Sequence, residues 1–145
     1  MKQMRAFFST LDHDRIVAAI AAAESGTSGQ IRVHVTHQKP RQLEERAHRR
    51  FELLGMTKTP ERNGVLLYIA PNIRKFRILG DRGVHEKCGD EFWAEVAGQI
   101  ESHFRKGEFT EGIVHGVMKA GQLLGEHFPK APGAANVLPD EVTED

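Results

Sequence analysis

From Gln30 to Thr36 the chain alternates strictly, with Ile31, Val33 and Val35 on one side and Arg32, His34 and Thr36 on the other. A period of two marks a strand with one buried face, and Pro40 closes the segment. From Arg41 to Leu54 the period changes: Leu43, Ala47, Phe51 and Leu54 form one helical stripe, and Arg46, Arg49 and Arg50 share the outer surface with Glu44, Glu45 and Glu52. Gly55 supplies a C-terminal stop. Val65 to Ala70 is continuously apolar, which predicts a strand covered on both faces. After Pro71-Asn72, alternation returns from Lys75 to Leu79, with Phe76 and Ile78 opposite Arg77. The short turn predicts an antiparallel hairpin, and Gly80-Asp81-Arg82-Gly83 reads as the turn that ends it.

Helical spacing dominates elsewhere. Ile16, Ile20 and Ala23 define a first helix that Ser9 or Thr10 can cap, with Phe7 and Phe8 placed for a hydrophobic staple. Asp90 can cap a helix carrying Phe92, Val96 and Ile100, and Lys106-Gly107-Glu108 breaks it. Thr110 can cap the last helix, along which Ile113, Val117, Ala120, Leu124 and Phe128 recur. Gly112 and Gly116 cost that helix about 1 kcal/mol each relative to alanine, so a close approach by a neighbour is expected there. The order is helix, strand, helix, strand, strand, helix, helix. A crossover between the first two strands requires them to be parallel. The predicted fold is α/β: a three-layer α/β/α sandwich around a small mixed sheet, with an N-terminal helix and two C-terminal helices. One domain over residues 1–130 is followed by an acidic, flexible tail over 131–145, in which Val137 and Leu138 are the apolar anchors.

Composition narrows the function. Lys plus Arg and Asp plus Glu are each 20, so the net charge is zero, which disfavours a wholly basic nucleic-acid binder. The balance conceals a gradient: residues 30–87 hold 13 basic and 6 acidic side chains, and residues 88–145 hold 4 and 11. No apolar run approaches the roughly 18 residues of a membrane span. The N-terminal residues develop no signal-peptide core, so a cytoplasmic location is expected.

No phosphate-binding glycine loop, nucleophile elbow, His-Glu-x-x-His or calcium-loop spacing is present. The eight histidines read as scattered surface and edge groups. Strand geometry separates His34 from His37, and the protein gains positive charge as the pH falls toward about 6. Cys88, beside Lys87 and before a predicted helix start, is expected to have a lowered thiol pKa. The loop holding Asp81, Glu86 and Asp90 offers oxygen ligands of the kind hard divalent cations take, calcium or magnesium. The plainer alternative makes Asp81 a turn residue and Asp90 a cap. Arg74, Lys75, Arg77, Arg82 and Lys87 gather near the hairpin, where they can attract an anion or protect a sheet edge.

Several segments together resemble the TPM-domain family: Ser28-Gly29-Gln30-Ile31-Arg32-Val33-His34-Val35, Arg62-Asn63-Gly64-Val65-Leu66-Leu67-Tyr68-Ile69-Ala70, Phe76 to Val84 with Phe92-Trp93, Phe104 to Ile113, and Asn136 to Val142. The resemblance implies an α/β sandwich. It also implies divalent-metal binding and acid phosphatase activity, which are associated with parts of the family. Asp81 and Asp90 match its acidic loop region, and Asn63 matches the residue before its central strand. On that reading Asp81, Glu86 and Asp90 are the metal candidates, Gln30, Asn63 and Arg82 line the site, and Arg82 aids a phosphate. Gln30 stands where related sequences often carry Glu, which removes one carboxylate. The competing expectation is a non-enzymatic protein-interaction, chaperone-like or adaptor module with a protein partner, no nucleic acid and no membrane span.

Overall fold

The computed structural model describes residues 11–130 and 142–145. Helix α1 (His13–Glu24) begins at Asp12, whose carboxylate accepts the Arg15 N–H at 3.1 Å. The expected caps Ser9 and Thr10, and the Phe7–Phe8 staple, lie outside the described residues. Strand β1 (Gln30–Val35) and helix α2 (Leu43–Leu53) follow, and Gly55 stops the helix at φ 74°. Strands β2 (Gly64–Ala70) and β3 (Lys75–Gly80) form the hairpin. Then come α3 (Arg82–Cys88), α4 (Asp90–Phe104), α5 (Phe109–His127) and β4 (Val142–Glu144).

Among the described residues the sheet runs β3-β2-β1-β4. β1 and β2 are parallel from Gln30↔Gly64 to Val35↔Ile69, and β2 and β3 antiparallel from Val65↔Gly80 to Ala70↔Lys75. β2 is buried along its whole length, as its unbroken apolar run predicts. Its side chains divide by parity. Val65, Leu67 and Ile69 join Ile31, Val33 and Val35 under α1, α4 and α5. Leu66, Tyr68 and Ala70 pack with Leu43, Ala47 and Phe51 of α2. These two cores on opposite faces make the three layers.

The helical layer is tight where glycine allows it. A Cβ on Gly116 would lie 2.5 Å from Ile100 Cγ1, and one on Gly112 2.7 Å from Phe104 Cδ1, so α4 sits directly on α5. Gly121 does the same for α1, where a Cβ would meet Ala23 Cβ at 2.6 Å.

Four expectations need correction. β1 is not half-buried: Arg32, His34 and Thr36 are all within 3% of full burial, because a helix covers that face of the sheet as well, where His34 stacks on Tyr68 and Tyr68 packs with Leu43, Ala47 and Phe51 of α2. The turn at 80–83 is instead the start of the short helix α3, capped by Asp81. Thr110 is not the cap of α5, which Glu108 precedes; the Thr110 hydroxyl instead accepts the Asp12 N–H at 3.0 Å. The last residues of the tail form β4, parallel to β1 in the register Val33↔Val142. Val137 and Leu138 lie outside the described residues.

Candidate functional site

β1 and β2 start at the same end of the sheet, and antiparallel β3 finishes there. That topology gathers Gln30, Asn63 and Asp81. Asp81 caps α3 by accepting the Arg82 N–H at 2.8 Å. Arg62 forks onto it, Nε to Oδ2 at 2.5 Å and Nη2 to Oδ1 at 2.8 Å. The carboxylate in turn raises the Arg62 pKa, chiefly through this hydrogen bonding. Arg62 reaches its position from a left-handed backbone, φ 53°. Beside it, Asn63 donates to Ser28 Oγ at 3.0 Å, and Ser28 donates to Glu61 at 2.9 Å. Asn63 is 1% exposed, and its Oδ1 has no hydrogen-bond partner among the described residues. Gln30 is buried, with its amide 3.4 Å from Gly29 O.

The other candidates stand apart from this cluster. Arg82 and Glu86 are exposed on α3, and Asp90 is exposed as the first residue of α4. Asp90 is not the cap; Gly89 holds that position with φ 71°. Among the described residues no group of three or more His, Cys, Asp or Glu is placed to hold a metal ion. Both Asp81 oxygens already accept hydrogen bonds. As placed, the Asp81 carboxylate is held by Arg62 and the Arg82 N–H, and Glu86 and Asp90 lie on the surface beyond it. Cys88 does precede the start of α4, as the last residue of α3, but its thiol departs from expectation: burial, aided by Glu126, pushes it up in spite of Lys87.

A different region holds an open groove. Between β3 and α4 lies a groove of about 930 Å³. Phe76 and Ile78 form its strand side, and Trp93, Phe104 and Phe109 its helix side. The Phe76 and Phe104 rings meet edge to face at 5.9 Å. Arg74, Lys75, Arg77 and Arg105 rim it, with Glu101 the acidic member of the lining. Arg77 is paired with Glu44 and Arg105 with Glu101, whereas Arg74 and Lys75 have no acidic partner among the described residues. Alternation showed Phe76 and Arg77 on opposite faces of β3. It could not show that α4 stands off from that strand.

A second polar site fixes β4 to β1 and draws in histidines that the sequence pattern reads as scattered. His34 is fully buried, stacked on Tyr68 at 5.3 Å. Its Nδ1 is 2.6 Å from Thr143 Oγ1 and its Nε2 is 3.1 Å from Asp145 Oδ1. Arg50 donates to Asp145 Oδ2 at 2.6 Å. His13 and His37 approach Glu144 at 3.3 and 3.7 Å. The signal was available: a histidine in the middle of an alternating strand, with Arg50 on the helix that follows.

Burial holds the His34 pKa below the ordinary histidine value, against the pull of Asp145. The unfolded chain therefore takes up a proton near pH 6.5 that the folded chain refuses until lower pH. The Asp145 carboxyl is pushed up by burial, but the hydrogen bonds from Thr36 and His34 and the charges of His34 and Arg50 outweigh that and lower it. The stability it contributes is present above the ordinary carboxylate pKa and is lost as the pH falls through the folded value. Both effects weaken the fold on acidification, His34 first. The melting temperature followed by circular dichroism is expected to fall from pH 7.5 to 5.5, and less steeply in His34→Gln. Equal slopes in the two proteins would show that His34 is not the group responsible.

A family model described as the TPM domain matches residues 1–123. Among solved structures, the chain is similar to the BA42 protein of the psychrophilic bacterium Bizionia argentinensis, with 36% identity over 92% of both chains and a TM-score of 0.87. It shares its fold with the N-terminal domain of the cg2496 protein of Corynebacterium glutamicum, at 13% identity over 83% of this chain and 74% of that one, TM-score 0.62. It also shares it with the N-terminal domain of a protein from P. gingivalis, at 22% identity over 79% and 76%, TM-score 0.57. No curated protein matches the chain. No helix among the described residues is long and apolar enough to cross a membrane.

Proposed function

The chain belongs to the TPM-domain family, and on that premise we propose that it is a protein-interaction module whose groove between β3 and α4 holds an extended segment of a partner protein. One observation carries this reading: the aromatic groove lies beside a strand that is paired on one side only among the described residues. A strand edge offers a row of N–H and C=O groups to an incoming segment, and neighbouring pockets select its alternate side chains. Phe76, Ile78 and Trp93 suit apolar side chains. Arg74 and Lys75 favour acidic ones at the end where β3 begins.

The test is an NMR titration of the isotope-labelled chain with a synthetic peptide alternating valine and glutamate. The amides of Lys75 to Gly80 and the Trp93 indole are expected to shift, and Lys75→Glu to weaken binding about tenfold, the equivalent of about 1.4 kcal/mol. A flat titration at millimolar peptide, or shifts confined to other strands, would overturn the reading.

The family resemblance also implies a divalent cation, and the unpartnered Asn63 Oδ1 is the observation that favours it. Asn63 and Glu61 would supply oxygen ligands at that end of the sheet, and Asp81 could join them only by giving up Arg62. A calcium titration distinguishes the two readings. Calcium-dependent shifts at Asn63 and Asp81, with none at β3, would favour the cation, and only then would a screen for acid phosphatase activity bear on this chain.

A further inference from the structure

We infer that the edge of β1 covered by β4 is a sequence-selective strand-acceptor slot and that a second copy of this chain can fill it with its own Val142–Asp145. The slot is distinct from the groove beside β3 and does not depend on it.

Three consecutive side chains of the seated segment are each met by a matching group. Thr143 is met by His34 Nδ1, Glu144 by His13 and His37, and Asp145 by His34 Nε2 and Arg50. The backbone adds a ladder: His37 N–H to Asp145 O at 2.9 Å, and Asp145 N–H to Val35 O at 3.2 Å. The Arg50 guanidinium against the Asp145 carboxylate gives charge complementarity, and three imidazoles face the two acidic side chains. The hydroxyl contact sets the register, because a slip by one residue would turn Thr143 away from His34. This is recognition of a particular sequence, and every copy of the chain carries both the slot and its ligand.

The connection permits exchange. Fourteen residues separate His127 from Val142, a span of at most about 50 Å when extended. Such a tether gives the chain's own strand an effective concentration in the millimolar range. Exchange is therefore expected as the chain concentration approaches that level, with closed two-fold symmetry when two copies swap reciprocally.

The experiment pairs two full-length variants. Arg50→Ala impairs the slot and keeps the strand; Thr143→Val with Asp145→Ala impairs the strand and keeps the slot. In either variant alone, the His37 amide is expected to lose protection from hydrogen exchange. In a mixture near millimolar concentration, the labelled strand-impaired chain should recover wild-type shifts at Val33 to His37, and sedimentation should show a 1:1 species. Unchanged shifts with both chains sedimenting as monomers would overturn the inference. A second measurement guards against misfolded variants. A peptide with the sequence of residues 139–145, added in excess to the labelled wild-type chain, should shift Val33 to His37 and leave Lys75 to Gly80 in place. No shift at Val33 to His37 at millimolar peptide would equally overturn it.

Discussion

Phe128→Ala is expected to lower the free energy of unfolding by about 3–5 kcal/mol, the range for truncating a buried phenylalanine. Phe128 is 1% exposed and packs in the core shared by α1, α5 and the sheet. Lys87 places its ammonium 4.8 Å from the ring centroid. The residue also closes α5. Its carbonyl accepts the Ser28 N–H at 2.9 Å and the Thr27 hydroxyl at 2.6 Å, so the ring and the backbone together tie the end of α5 to the loop before β1. Loss of the ring leaves a cavity and loosens that tie. A domain of ordinary stability has about 5–15 kcal/mol to lose, so much of the margin would go. Denaturant unfolding measures it directly. A change below about 1 kcal/mol would mean that the site collapses around the smaller side chain.

Gly83→Ala carries the second large effect, and its sign is the informative part. In an ordinary helix, alanine in place of glycine stabilises by about 0.5–1 kcal/mol. Here a Cβ would lie 2.4 Å from Glu61 O and 2.7 Å from Arg62 O, both backbone atoms. The Gly83 N–H also donates to Arg62 O at 2.9 Å. A methyl group would push α3 off the 61–63 segment and open the Arg62–Asp81 fork. The net expectation is destabilisation by roughly 2–3 kcal/mol, within the range for overpacking. NMR shifts at Arg62 and Asp81 would accompany it. An alanine variant more stable than wild type would refute the close approach.

These two sites also show what was legible in the sequence. Phe128 sits at the end of a regular helical stripe, and its burial follows from periodicity. The continuous apolar run of β2, the alternation of β1 and the tight turn before β3 likewise gave the sheet core, the parallel crossover and the hairpin. Gly83 reads as a turn residue because Gly80-Asp81-Arg82-Gly83 carries local turn signals. Its actual constraint comes from the carbonyls of Glu61 and Arg62, 22 and 21 positions away, which no local pattern contains. β4 was missed for a similar reason. Val142 to Glu144 is short and acidic, and it becomes a strand only because His13, His34, His37 and Arg50 converge from elsewhere. Of the candidate site residues, Gln30, Asn63 and Asp81 do share one end of the sheet, since strand direction places them there. Glu86 and Asp90 were linked to Asp81 by closeness in sequence, and the helix α3 between them could not be anticipated from its glycine-containing stretch. The groove was illegible altogether, because it is a gap between two elements.

The pairing of Val33 with Val142 carries a consequence for how the molecule is made. β1 and β2 pair residues 34 positions apart, whereas β1 and β4 join residues 109 apart. Loop closure of that length is entropically the most demanding step in the described sheet. A chain emerging from the ribosome at about 5–20 residues per second therefore presents β1, β2 and β3 for several seconds before β4 exists to cover the edge. During synthesis, neighbouring nascent chains meet β1 as an open edge.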